Sequence, residues 1–171
     1  MSPWFTLIGV FLGALATFSA TTLTERTRWR RAQDSRWDER RLHSYVEYAN
    51  AVKKVVSFAS RVMVARGVSA AGGQPLDVAT GLPLLAEAED ERSLKWENVL
   101  LLGSNTVIDA GRQWHRIAWR LAKFAQEEQP DEHEVEAAYT AYNDARAAFY
   151  GSARGDLGLK ESEISVPVAT V

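Results

Sequence analysis

Acid–base, nucleophilic and metal chemistry need particular side chains at particular spacings, and this sequence of 171 residues offers few of them. It has no cysteine. That excludes disulfides, thiolate zinc sites, iron–sulfur clusters and a cysteine nucleophile. Three histidines remain: His43, His115 and His133. His133 lies in Asp131-Glu132-His133-Glu134-Val135-Glu136. A helical metal site stacks its ligands on one face, as H-E-x-x-H or E-x-x-H. Neither occurs, since Ala137 stands three residues after Glu134. The segment reads as the solvated, acidic first turn of a helix. His43 follows Arg40, Arg41 and Leu42, and His115 sits between Trp114 and Arg116. Neither has a recognisable serine or carboxylate partner set. Gly72-Gly73 is not followed by Lys-Ser or Lys-Thr, so it reads as a turn rather than a phosphate cradle. No G-x-S-x-G elbow is present. No catalytic, cofactor-binding or metal-ligating residue is assigned, and no cofactor is expected.

The one surface with a chemical character lies between 112 and 123. At helical spacing Arg112, Arg116, Arg120 and Lys123 share a sector, and Trp119 lies in it. Trp114, Ala118, Leu121 and Ala125 fall on the opposite, apolar side. An indole flanked by cations suits a phosphate-bearing partner, an anionic lipid or an aromatic-seeking protein patch. The competing reading is structural: the cations pair with Glu132 and Glu136 of the next helix, and Trp119 covers a neighbour. Net charge is −2, and no basic patch beyond this sector and the cluster Arg26, Arg28, Arg30 and Arg31 supports nucleic-acid binding.

That net charge hides a gradient. Residues 25–41 carry +3, residues 42–126 carry +2 and residues 127–171 carry −7. Residues 2–24 carry none. Within them Trp4 to Leu23 is an uncharged apolar run of twenty residues. As a helix it would span about 30 Å, the thickness of a bilayer's hydrocarbon core. No cation precedes the run, whereas Arg26, Arg28, Arg30 and Arg31 follow it at once. A cleaved signal peptide has the opposite arrangement. The run therefore reads as an uncleaved anchor, with the N-terminus outside and the C-terminal domain cytoplasmic by the positive-inside bias. Trp4 and Trp29 fall where interfacial indoles prefer to lie, and the Arg cluster would sit among lipid phosphates. Gly9 and Gly13 form a GxxxG, extended by Thr17 and Ala20, that would let two such helices approach closely.

The remainder reads as helix throughout. Leu42, Tyr45, Ala49, Val52, Val56, Ala59 and Met63 alternate steps of three and four, a heptad pattern. Residues 24–66, free of Gly and Pro, can form one stalk helix continuous with the anchor. The stretch 67–83 is rich in Gly and Pro and reads as a loop. Helix resumes at Pro83, a favoured first-turn residue. Gly103-Ser104-Asn105 either kinks that run or turns it, with Ser104 or Asn105 as N-cap of a helix to about 128. Pro130 separates it from a last helix to about 153, carrying Val135, Ala138, Tyr142, Ala145 and Phe149 on one face. Gly155 and Gly158 end that helix.

The expected fold is all-α: an N-terminal transmembrane helix continuing into a long stalk that packs in an antiparallel helical bundle or coiled-coil hairpin. The expected divisions are 1–24 anchor, 25–41 Arg/Trp-rich juxtamembrane helix, 42–159 bundle with loop 67–83, and 160–171 disordered tail. Three stretches carry a wider likeness: WRRAQDSRWDERRLHSYVEY at 29–48, VLLLGSNTVIDAG at 99–111 and AFYGSARGDLGL at 148–159. With the apolar run before them, they make the chain resemble a group of small actinobacterial and actinophage membrane proteins with one N-terminal transmembrane helix and a helical domain. The resemblance implies this layout and supplies no mechanism. The functional expectation is a single-pass membrane protein without catalytic activity. It would present a cytoplasmic interaction or scaffold surface to a protein partner or to a second copy, with the bilayer as its other partner. The alternatives are an envelope-acting phage-type lysis or exclusion protein with its bundle outside, and an enzyme with an unrecognised site in the bundle.

Overall fold

The structure, a computed structural model, describes residues 36–69 and 73–159. The anchor segment Trp4–Leu23, its Gly9 and Gly13, the interfacial Trp4, Arg26, Arg28, Trp29, Arg30 and Arg31, and the tail 160–171 lie outside the described residues. Among those described, no helix is long and apolar enough to cross a membrane. The chain divides into two compact units, Met1–Glu39 and Arg40–Val171. The second is an all-helical bundle.

The described residues form four helices: α1 over 36–65, α2 at Val78–Leu102, α3 at Asn105–Gln126 and α4 at Glu132–Asp156. Cross-helix bonds fix the directions. Glu47 meets Lys95 and Lys54 meets Glu91, so α1 and α2 run antiparallel. Tyr48 donates to the Gly111 carbonyl and Arg66 to the Glu127 carbonyl, so α1 and α3 run parallel. Tyr139 of α4 reaches Ser60, and Tyr45 reaches Asp156, so α4 runs antiparallel to α1. These directions give an up-down-up-down arrangement.

The heptad seam of α1 is where the spacing puts it. Tyr45, Ala49, Val52, Val56, Ala59 and Met63 are buried, while Leu42 is exposed. Burial extends beyond the seam to Tyr48, Ala51, Val55 and Val62. A two-helix coiled coil would bury only the narrow seam; α1 instead meets three neighbours and needs a wider apolar face. The Trp114, Ala118, Leu121, Ala125 stripe of α3 and the Val135-to-Phe149 stripe of α4 are buried as their spacing implies.

Helix ends follow local chemistry. At the end of α1, Gly67 takes a φ of 75°, with Val68 N–H donating to Met63 O and Gly67 N–H to Val64 O. This is the Schellman pattern, which satisfies carbonyls that the helix leaves unpaired. Gly158 repeats it after α4, with Leu159 donating to Arg154 O and Gly158 to Gly155 O. Asp131 caps α4 by accepting from the His133 and Glu134 amides. Gly103 is a turn and not a kink: it is extended and separates α2 from α3.

One boundary differs from expectation. Helix α2 begins at Val78, inside the stretch 67–83 read as a loop, and Pro83 lies within it. Two residues explain the earlier start. Asp77 accepts the Thr80 amide at 2.9 Å and caps the helix. Gly81, read as a breaker, is a packing notch: a Cβ there would meet Val62 Cγ2 at 2.3 Å. Tertiary contact decides its conformation, not its propensity.

Gly111 is a second notch, where a Cβ would meet the Trp96 ring at 2.6 Å. By contrast, nothing lies within 4 Å of a Cβ built at Gly151, in the C-terminal part of α4. Both replacements by Ala gain up to about 1 kcal/mol of helix propensity. Gly151→Ala should keep that gain, whereas Gly111→Ala should lose it to overpacking of about 1–3 kcal/mol. Denaturant melts of the two variants should therefore move in opposite directions, and parallel shifts would contradict the notch.

Candidate functional site

Helix α3 positions the site because its two faces differ so sharply. The apolar stripe is locked inside, so the basic sector must point outward. Trp119 is 48% exposed and does not cover a neighbouring helix. Lys123 lies over its ring, Nζ 4.0 Å from the centroid, a cation–π contact that occupies one indole face.

The four cations have different partners. Arg112 pairs with Asp109 at 3.3 Å, one turn back on the same exposed surface. Arg116 donates to the neutral side chain of Gln113 at 2.8 Å. Among the described residues no carboxylate lies in ion-pair range of Arg116. Arg120 reaches across to Glu134 of α4 at 3.1 Å, rather than to Glu132 or Glu136, and stacks over Phe124. The predicted sector is therefore split. Arg120 serves the α3–α4 contact, while Arg112, Arg116 and Trp119 remain on the open side.

On that open side, between α2 and α3, lies a hollow of about 290 Å³ lined by Trp96, Arg112, His115, Arg116 and Trp119. Trp96 forms its α2 wall and is held against α3 by the Gly111 notch. Trp96 also tilts against Tyr48 of α1, with centroids 5.1 Å apart, so this wall is anchored to the core.

His115, read from sequence only as a histidine without partners, is half-buried beside the hollow. Its Nδ1 is buried with no hydrogen-bond partner among the described residues. A buried N–H without an acceptor is costlier than an unfilled lone pair. The proton therefore belongs on Nε2, which leaves that nitrogen as the ring's donor. Burial, and then the Arg92 charge, push the His115 pKa down, against a smaller opposing influence of Glu89. The ring is neutral at physiological pH.

Arg92 is the residue that sequence reasoning missed. It is buried, with its Nε 2.9 Å from Glu89 Oε2 one turn back. The signal was present: Leu85, Ala88, Arg92 and Val99 occupy one stripe at helical spacing. A charge in an apolar stripe needs a paired carboxylate, and Glu89 supplies it. The other two histidines are peripheral. His43 lies exposed, 3.5 Å from Glu47. The His133 amide donates to Asp131 in the first turn of α4. Among the described residues no group of three His, Asp or Glu side chains converges to hold a metal ion.

The depressed His115 pKa has a stability consequence. The folded ring binds its proton more weakly than the unfolded chain does, so the contribution is complete above about pH 6.5 and declines as pH falls below it. Thermal melts at pH 7.5 and 5.5 should show the wild-type chain losing more stability on acidification than His115→Gln. Equal losses would mean that the ring protonates without cost.

Comparison of the chain with known protein families, with curated proteins and with solved structures returns no match.

Proposed function

We propose that the chain is a single-pass membrane-anchored protein whose helical bundle presents an interaction surface, the open face of α3, on the cytoplasmic side. The sequence supports the anchor through the uncharged run Trp4–Leu23 and the Arg cluster behind it. The layout is also the one expected of the small actinobacterial membrane proteins that the chain resembles.

The observation that carries the reading is the distribution of exposed apolar side chains within the bundle. Leu42 and Val46 lie in the first turns of α1. Leu94, Leu100 and Leu101 lie in the last turns of α2, and Leu159 follows α4. Since α2 and α4 run antiparallel to α1, Leu42, Leu100, Leu101 and Leu159 belong to the end of the bundle at which α1 begins, while Val46 and Leu94 lie farther in, near the level of the Glu47–Lys95 pair. Scattered apolar residues on a surface need no explanation, but a concentration at one end does. A membrane surface is one apolar partner that suits exposed leucines of this kind. Trp119 and the cations around it belong to the open side of α3 and are left for a partner.

The test is extraction and topology. The full-length chain should remain in the membrane pellet through alkaline carbonate washing, and a version lacking residues 1–24 should not. A fluorescent protein fused after Val171 should fluoresce in the cytoplasm, and alkaline phosphatase fused there should be inactive. Release of the full chain by carbonate contradicts the anchor. Active phosphatase reverses the topology and favours an envelope-acting protein.

A further inference from the structure

The hollow between α2 and α3 has more chemistry than a general docking face requires. Two indoles stand at it, Trp96 from α2 and Trp119 from α3. Trp96 is fixed by its contacts with Tyr48 and Gly111, and Trp119 projects from α3 with one face under Lys123. The two guanidiniums at the rim are the least neutralised on α3. Arg116 hydrogen-bonds only a neutral amide, and Arg112 holds an exposed aspartate loosely at 3.3 Å. Planar guanidinium forks match carboxylate, sulfonate and phosphoryl oxygens in geometry as well as charge. The third polar group lining the hollow is His115, whose buried Nδ1 has no partner among the described residues, so that its proton belongs on Nε2. The volume of about 290 Å³ suits a compact organic molecule.

From this arrangement we infer that the hollow binds a small planar aromatic anion, its ring against Trp96 and Trp119 and its anionic group on Arg112, Arg116 and the His115 Nε2–H. Aromatic surface alone would select any flat apolar molecule, and cations alone would select any anion. Their combination in one small hollow selects molecules that carry both. Acidic groups near the hollow do not oppose this. Glu89 is committed to the buried Arg92, and Asp109 is held by Arg112 at the exposed rim. The inference rests on the proposed role of the α3 face as a recognition surface and is independent of the membrane anchor.

The test uses the full-length chain in detergent, with 2-naphthoate as probe and the neutral 2-naphthalenemethanol as its control, followed by equilibrium dialysis and calorimetry. Naphthoate should bind saturably at one site, and added salt should weaken it. The neutral analogue should bind at least about tenfold more weakly, the usual scale of a lost charge-assisted bond. Arg116→Gln should weaken naphthoate by a similar factor, and its unchanged melting curve would show that folding is intact. Trp119→Ala should weaken naphthoate while leaving the salt dependence in place. Lys54→Gln, which removes a cation facing Glu91 away from the hollow, should change nothing. Equal binding of acid and alcohol, or unchanged naphthoate binding by Arg116→Gln, would overturn the site. So would the absence of saturable binding. None of these outcomes bears on carbonate extraction, so failure of the ligand and failure of the anchor are read separately.

Discussion

The bundle depends on one aromatic junction. Tyr48 of α1 touches a ring from each of the other helices. Its centroid lies 5.1 Å from Trp96 of α2, 6.1 Å from Trp114 of α3 and 5.4 Å from Phe149 of α4. Trp114 and Phe149 close the cluster at 5.2 Å. Large rings bury the most apolar area per residue and favour these tilted and edge-on geometries. The Tyr48 hydroxyl is not wasted inside: it donates to the Gly111 carbonyl at 2.9 Å. Burial of that hydroxyl raises its pKa well above the ordinary tyrosine value, so it stays protonated and can donate. A single side chain thereby sets the spacing of four helices and ties α1 to α3 by the backbone.

The candidate site is a by-product of the same junction. Gly111 lets Trp96 lie directly on α3, and this closes α2 against α3 at that level. One turn farther along α3, His115 and Arg116 line the hollow together with Trp96, Arg112 and Trp119. Arg92 fills the space behind with a charge whose carboxylate partner comes from its own helix. The polar character of this part of the α2–α3 contact follows, and the Arg92 charge adds to the burial that chiefly lowers the basicity of His115. The centre of the bundle is apolar: Met63, Leu85, Leu121 and Val62 are fully buried.

Much of the bundle was legible because helical burial leaves a periodic trace. The steps of three and four in α1, α3 and α4 located their inward faces residue by residue, and the glycines at 67 and 158 marked true helix ends. Leu42 was misjudged because periodicity does not say where the neighbours stop. Gly81 and Pro83 were misjudged because their usual meaning is local, while their conformation here is set by Val62 across the interface and by the cap at Asp77. The site was half legible. The cation–Trp sector of α3 was visible in the spacing, but its division was not. Which arginine meets an acid of α4 and which stands beside a hollow depends on the rotation of α3 against two neighbours. Trp96 and Arg92 come from another helix, and no pattern within α3 could name them.

If Tyr48 is the junction that holds four helices together, its removal should be felt by all of them at once. The direct measurement is amide hydrogen exchange by mass spectrometry on the full-length chain carrying Tyr48→Ala, compared with the wild type. Truncation of a buried aromatic costs about 3–5 kcal/mol, a large part of the stability of a domain this size. The expected result is a loss of protection in α1, α2, α3 and α4 together, most in the turns bearing Trp96, Trp114 and Phe149. Loss confined to α1, with the other three helices as protected as before, would contradict the account.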